Sequence, residues 1–193
     1  MKTGFEFCFA LCFALILSFA LSACTSVRME KRFAPGGWTP EKARLDGVWQ
    51  VDRAYVYLKV ASNGVAMLDM PEWKEGNFHV DHGELTAAAA GEANYLCFRM
   101  DSDGTNNGGY GFAEYKLSGD DELICWPPNF AAFETALASN RLAGTKEGTN
   151  SVKKILLATP PEKLLGFFQD RAGAGLFDYK SPLVFRKVAP AGP

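Results

Sequence analysis

The chain has 193 residues, 22 of them acidic and 20 basic, and a formal charge of −2 at pH 7. Acids and bases are mixed along it and no long basic run occurs, which argues against a nucleic-acid partner. Hydrophobic residues make up 48 % of the chain, enough for one domain with a real core.

The amino terminus reads as an export signal. Lys2 supplies positive charge, Glu6 departs from a purely basic start, and Phe7 to Ala20 carries no charged residue. That run is shorter than the ~20 apolar residues an easy membrane span needs, and suits the core of a signal peptide. Small residues then lead into Leu21-Ser22-Ala23-Cys24. This stretch resembles the lipobox of bacterial lipoproteins. The resemblance implies removal of a signal peptide, 1–23, and acylation of Cys24, so that membrane lipid is a partner through that residue. Two or more acyl chains hold a protein stably on a bilayer where one does not. Thr25, not aspartate, follows the cysteine. In the resembled family this favours the outer membrane, facing the periplasm of the cell envelope.

Residues 24–43 contain Pro35-Gly36-Gly37 and Pro40 and read as lipid anchor and tether. Arg28, Lys31 and Arg32 read as solvated tether charges, and Trp38 as a contact with the domain. A single β-rich domain is expected over 44–189, with a tail at 190–193. Cys8 and Cys12 leave with the signal and Cys24 with the lipid, so Cys97 and Cys125 remain. Export and an even count favour a disulfide between them. Geometry opposes it: a strand at Tyr110–Leu117 between theirs would separate them by about 9.5 Å, beyond the ~7 Å Cα separation a disulfide allows.

Strand signals follow in close succession. Leu45–Arg53 and Ala54–Val60 are β-rich, and Ser62-Asn63-Gly64 turns the chain into Val65–Met70. Asn77–Val80 and Glu84–Thr86 flank Asp81-His82-Gly83, read as a tight turn. Asn94–Met100 puts Leu96, Phe98 and Met100 on one face. The polar loop from Asp101 to Gly109 precedes Tyr110–Leu117, and Ser118-Gly119-Asp120-Asp121 turns into Glu122–Trp126. Further strands are expected at Leu142–Thr145, Val152–Ala158 and Leu183–Val188. Two helices interrupt them. Asn129 caps the first, with Phe130, Phe133 and Leu137 on one stripe. In the second, Thr159 reads as the cap, Pro160 as the first helical residue and Glu162 as the capping-box acid. Its buried face is Leu164, Leu165, Phe167 and Phe168, and Gly173 ends it.

Candidate chemistry is sparse. His79 and His82, with Asp81 and Glu84, have the ligand types zinc takes, but alternation in a strand sends them to opposite faces. Asp101, Asp103, Asn106 and Asn107 lack the calcium-loop spacing, since Phe112 stands where the closing glutamate belongs. Neither G-x-S-x-G, H-E-x-x-H nor a phosphate-binding glycine loop occurs. No catalytic residue, metal ligand or cofactor is therefore assigned. Tyr55, Tyr57, Phe78, Tyr95, Phe98, Tyr110, Phe112, Tyr115 and Trp126 would either line a cavity for an apolar ligand or fill a sheet core.

Gly47-Val48-Trp49 resembles the G-x-W opening of lipocalins and related barrels. There the tryptophan closes one barrel end, beneath a basic residue of the last strand. The resemblance implies a barrel-end pair of Trp49 and Arg186. The two late helices depart from the lipocalin pattern. The chain as a whole also resembles bacterial envelope proteins without an established activity. The expected fold is mainly β with two short helices, a small antiparallel barrel or strongly curled sheet, lipocalin-like. The expected function is a non-enzymatic, membrane-anchored binding module for a small apolar ligand. The alternatives are a protein-interaction module of the envelope, and a hydrolase using an acid pair or His82.

Overall fold

The computed structural model describes residues 25–34, 42–74, 76–101, 109–148, 152–170 and 175–188. The signal-like segment with Cys24, the Pro35–Pro40 stretch with Trp38, the 102–108 part of the polar loop, Gly173 and the tail lie outside these residues. In chain order, β1 (Thr25–Met29) and a single helical turn, α1 (Lys42–Leu45), precede β2 (Gly47–Val51), β3 (Ala54–Val60) and β4 (Ala66–Lys74). Then come β5 (Asn77–Ala90), β6 (Ala93–Met100), β7 (Tyr110–Ser118) and β8 (Glu122–Trp126). The helices α2 (Phe130–Ala138) and α3 (Pro161–Asp170) enclose β9 (Gly144–Gly148) and β10 (Lys153–Leu157), and β11 (Leu183–Lys187) ends the fold.

Strands β2 to β8 pair in sequence, and β11 slots antiparallel between β8 and β2. The result is a closed, eight-stranded antiparallel barrel of lipocalin-like form, as the sequence led us to expect. Closure removes the edge strands that an open sheet would expose. Local chemistry sets the register. At Ser62-Asn63-Gly64, for example, Gly64 has φ +77° and the Asn63 side chain accepts the Val65 N–H at 3.0 Å.

Alternation along each strand produces two cores. Inward residues such as Trp49, Val56, Leu58, Leu85, Leu96 and Leu123 fill the barrel. Outward residues of β6 and β7, including Tyr95, Cys97 and Phe112, pack with Phe133 of α2, Phe168 of α3 and Phe177. The ring centroids of Phe112, Phe133, Phe168 and Phe177 lie 5.4–6.5 Å apart, so an aromatic cluster fastens the helices to the wall. A side sheet completes this layer. β7 pairs with β8 through Glu114–Ser118 but with β1 at Tyr110 and Gly111, and β1 runs parallel to β10, which pairs with β9.

Three expectations need correction. Residues 25–34 are not tether: β1 is a strand, with Val27, Met29 and Phe33 buried in the aromatic layer. Two apolar residues at alternate positions suffice when both neighbours are strands. Second, Asp81-His82-Gly83 is not a turn, because β5 runs unbroken through it. Gly83 is there for close approach: a Cβ would lie 2.6 Å from the Arg99 carbonyl oxygen. Third, α2 starts as expected, with the Asn129 side chain accepting from the Ala131 N–H, but Thr159 does not cap α3. Its hydroxyl accepts from the Ala143 N–H at 2.7 Å and donates to the Ala143 carbonyl at 3.1 Å. Pro161 is the first helical residue, and the Pro160 carbonyl accepts the Leu164 N–H.

Candidate functional site

The two ends of the barrel differ. One end receives α1 and carries the β3–β4, β5–β6 and β7–β8 turns. There Trp49 is fully buried, and its indole N–H donates to the Leu45 carbonyl at 2.8 Å. The Lys187 ammonium lies 5.4 Å from the ring centroid and donates to the Arg44 carbonyl at 2.7 Å. Gly47 makes room for this: its φ is +135°, and a Cβ would stand 2.9 Å from Lys187 Cε. Gly47 and Trp49 thus both have a physical role in closing this end.

The basic partner is Lys187, not Arg186. Lys187 stands opposite Trp49 in the ladder, and Arg186 stands opposite Gln50. One residue along a strand reverses the face. Arg186 is therefore 78 % exposed and pairs with Glu122 at 3.8 Å.

At the opposite end lie the connections β2–β3, β4–β5, β6–β7 and β8–β11. Here the inward-facing Leu68, Met70, Phe98, Leu183 and Phe185 pack against the barrel core yet remain half-buried. The Phe98 ring lies on the β7 backbone, because Gly111 offers no side chain: a Cβ there would be 2.5 Å from Phe98 Cζ. We refer to this partly exposed apolar end of the barrel as the cup. Period-two alternation in Ala66, Leu68 and Met70 was the signal that could have singled out Met70 in advance.

Beyond the cup, β4 and β5 project as a ribbon. β3 pairs with β4 only up to Asp69, and β6 with β5 only from Gly83, while β4 and β5 stay paired out to Lys74 and Asn77. Pro71, Trp73, Phe78 and Val80 share its outer face, and Trp73 stands opposite Phe78. Both are mostly solvent-exposed, at 62 % and 64 %.

Most of the aromatic residues considered as cavity lining do not face the interior. Only Phe98 and Tyr115 do; Tyr95 and Phe112 point into the outer layer, and Tyr55, Tyr57 and Phe78 into solvent. Tyr110 donates to Glu84 at 3.1 Å, within a network in which Arg32 and Arg99 also pair with Glu84. Both guanidinium groups compensate this acid, and that of Arg32 fastens residues 30–34 to the wall. A second half-buried acid, Glu114, stands opposite Tyr95 and Trp126 and accepts the Tyr179 hydroxyl at 2.8 Å. Desolvation pushes its pKa up, and the Tyr179 hydrogen bond only partly opposes this.

His82 pairs with Asp69 at 2.8 Å, and His79 lies on the other face of the ribbon, opposite Glu72. Among the described residues no group of three or more His, Cys, Asp or Glu side chains is arranged to hold a metal ion. Cys97 and Cys125 are free, buried thiols. Cys97 points into the outer layer, beside Thr86, and Cys125 into the barrel, with β7 between their strands. The disulfide that export favoured does not form.

Compared with known proteins, the chain matches no family model, no curated protein and no solved structure.

Proposed function

We propose that this chain is a membrane-anchored envelope lipoprotein, lipidated at Cys24 and facing the periplasm from the outer membrane, whose barrel is a non-enzymatic binding module for a small apolar ligand. The observation that carries the reading is the asymmetry of the barrel. Trp49 and Lys187 close one end, where Leu117 is also partly exposed, while Met70, Phe98 and Leu183 leave apolar surface partly exposed at the other. Such surface gains about 25 cal/mol per Å² when removed from water. The lipobox-like Leu21–Cys24 supports the location. Asp46, Asp69, Glu84 and Glu134 are ion-paired and Glu114 accepts the Tyr179 hydroxyl, an arrangement that fits a structural role for these acids.

The test is a thermal melt of the mature chain with a single-chain fatty acid, a lysophospholipid or a diacyl phospholipid. A ligand held only by the native state stabilises it by about 2.7 kcal/mol at 100 times its Kd. No change in Tm with any of the three removes the ligand reading. The protein-interaction reading has its own support: the outer face of the ribbon, with Trp73 and Phe78 paired and exposed, is the kind of aromatic surface that interfaces use.

A further inference from the structure

Thr25 directly follows Cys24 in the chain. Thr25 is the first residue of β1 and is already in register with Lys153 of β10. Two residues later Val27 is buried, and Met29 after it. One extended residue spans at most ~3.6 Å, so Cys24 leads straight into a strand that is paired with β10 from Thr25 onward and with β7 from Arg28.

Resting on the lipoprotein reading above, we propose that acylated Cys24 clamps the domain directly onto the bilayer, with the surface around Thr25, Val152 and Lys153 facing the lipid. The chemistry of that surface fits. Val152 is apolar and 60 % exposed. Lys153 stands opposite Thr25 in the ladder and Lys154 opposite Ser26. Lysines at a strand end favour anionic headgroups while their alkyl stems lie along apolar surface. The opposite wall turns away. β3 stands four strands from β7 in either direction round the barrel, and its outward Tyr57 is 41 % exposed. Clamping therefore fixes which wall meets the membrane, where a tether would let the domain turn freely.

The experiment uses the full chain, processed in cells, purified and reconstituted into phosphatidylcholine–phosphatidylglycerol vesicles that contain a nitroxide-labelled lipid. A fluorophore is attached at Val152→Cys or, separately, at Tyr57→Cys. Both positions are exposed, while the native Cys97 and Cys125 are buried and do not compete for label. The fluorophore at position 152 is quenched several-fold more than that at position 57. Inserting a flexible Gly-Ser segment of about 12 residues between Cys24 and Thr25 abolishes the difference and leaves the protein on the vesicles. Equal quenching at the two positions, in a chain whose intact mass shows acylated Cys24, overturns the clamp and spares the lipoprotein reading. An intact mass showing unmodified Cys24 overturns both.

Discussion

Lys187 faces Trp49 across the β2–β11 ladder, with its ammonium 5.4 Å from the indole centroid and hydrogen-bonded to the Arg44 carbonyl at 2.7 Å. One side chain thereby joins the last strand, the first barrel strand and the helical turn that plugs the end. Trp49→Ala empties the plug and costs about 3–5 kcal/mol. Lys187→Ala strands a carbonyl and removes a cation over the ring, and costs about 1.5–3 kcal/mol. Arg186→Ala changes stability by less than about 0.5 kcal/mol, because its ion pair is exposed. Urea unfolding of the three variants checks the order. An Arg186→Ala loss equal to that of Lys187→Ala would contradict the register.

The two cysteines stay unbridged because the fold keeps them apart. One points into each core, with β7 between their strands. Burial pushes both thiols up to about 12, so a thiol reagent at pH 8 modifies neither until the protein unfolds. Reduction leaves the intact mass unchanged. Ionisation is easier in the unfolded chain, near the ordinary value of 9.0. Stability is therefore independent of these groups below that pH and falls as pH rises from there towards 12. Loss of two thiol equivalents in native protein, with a matching mass change on reduction, would show a bridge that this geometry forbids.

Glu114 sets a pH dependence of the opposite kind from most carboxylates. Desolvation among Tyr95, Trp126 and Tyr179 raises its pKa above the ordinary 4.5, so the folded state holds its proton more tightly than the unfolded state. The protonated form contributes stability below the unfolded pKa, and that contribution is lost as pH rises through the folded one. Gln keeps the shape and the carbonyl that accepts the Tyr179 hydroxyl. Melting across pH 4–8 therefore shows Glu114→Gln gaining on the parent as pH rises. A constant difference between the two would place the acid in water.

The barrel was legible because its signals are local. Turn residues at Asn63-Gly64 and Gly119-Asp120, and period-two runs such as Leu96 to Met100, fix strand after strand. What was not legible depends on long-range neighbours. β1 has two alternating apolar residues, Val27 and Met29, and becomes a strand only because β7 and β10 stand on either side. Gly83 looks like a turn glycine until Arg99 is seen pressing against it. The choice between Arg186 and Lys187 turns on a register that no local pattern fixes. The cup suffered likewise: aromatic residues drew attention, yet most of them fill the outer layer or point into solvent, and Met70 and Leu183 were overlooked.

The cup and the ribbon make separable predictions, since Met70 faces inward and Trp73 outward on the same strand. Met70→Trp adds bulk where Met70 is only half-buried, so overpacking costs little, below the about 1–3 kcal/mol seen in a tight core. The added ring occupies the mouth, and the rise in Tm with a fatty acid disappears. Trp73→Ala with Phe78→Ala removes two side chains that are each more than 60 % exposed, so the stability of the barrel and the ligand-induced rise both persist. His79→Ala with His82→Ala behaves in the same way, because an exposed His82–Asp69 pair contributes at most about 1 kcal/mol. Melting curves of all three variants, with and without the fatty acid, decide the matter. Persistence of the rise in Met70→Trp and its loss in the Trp73–Phe78 double variant would move the binding surface from the barrel mouth to the outer face of the ribbon.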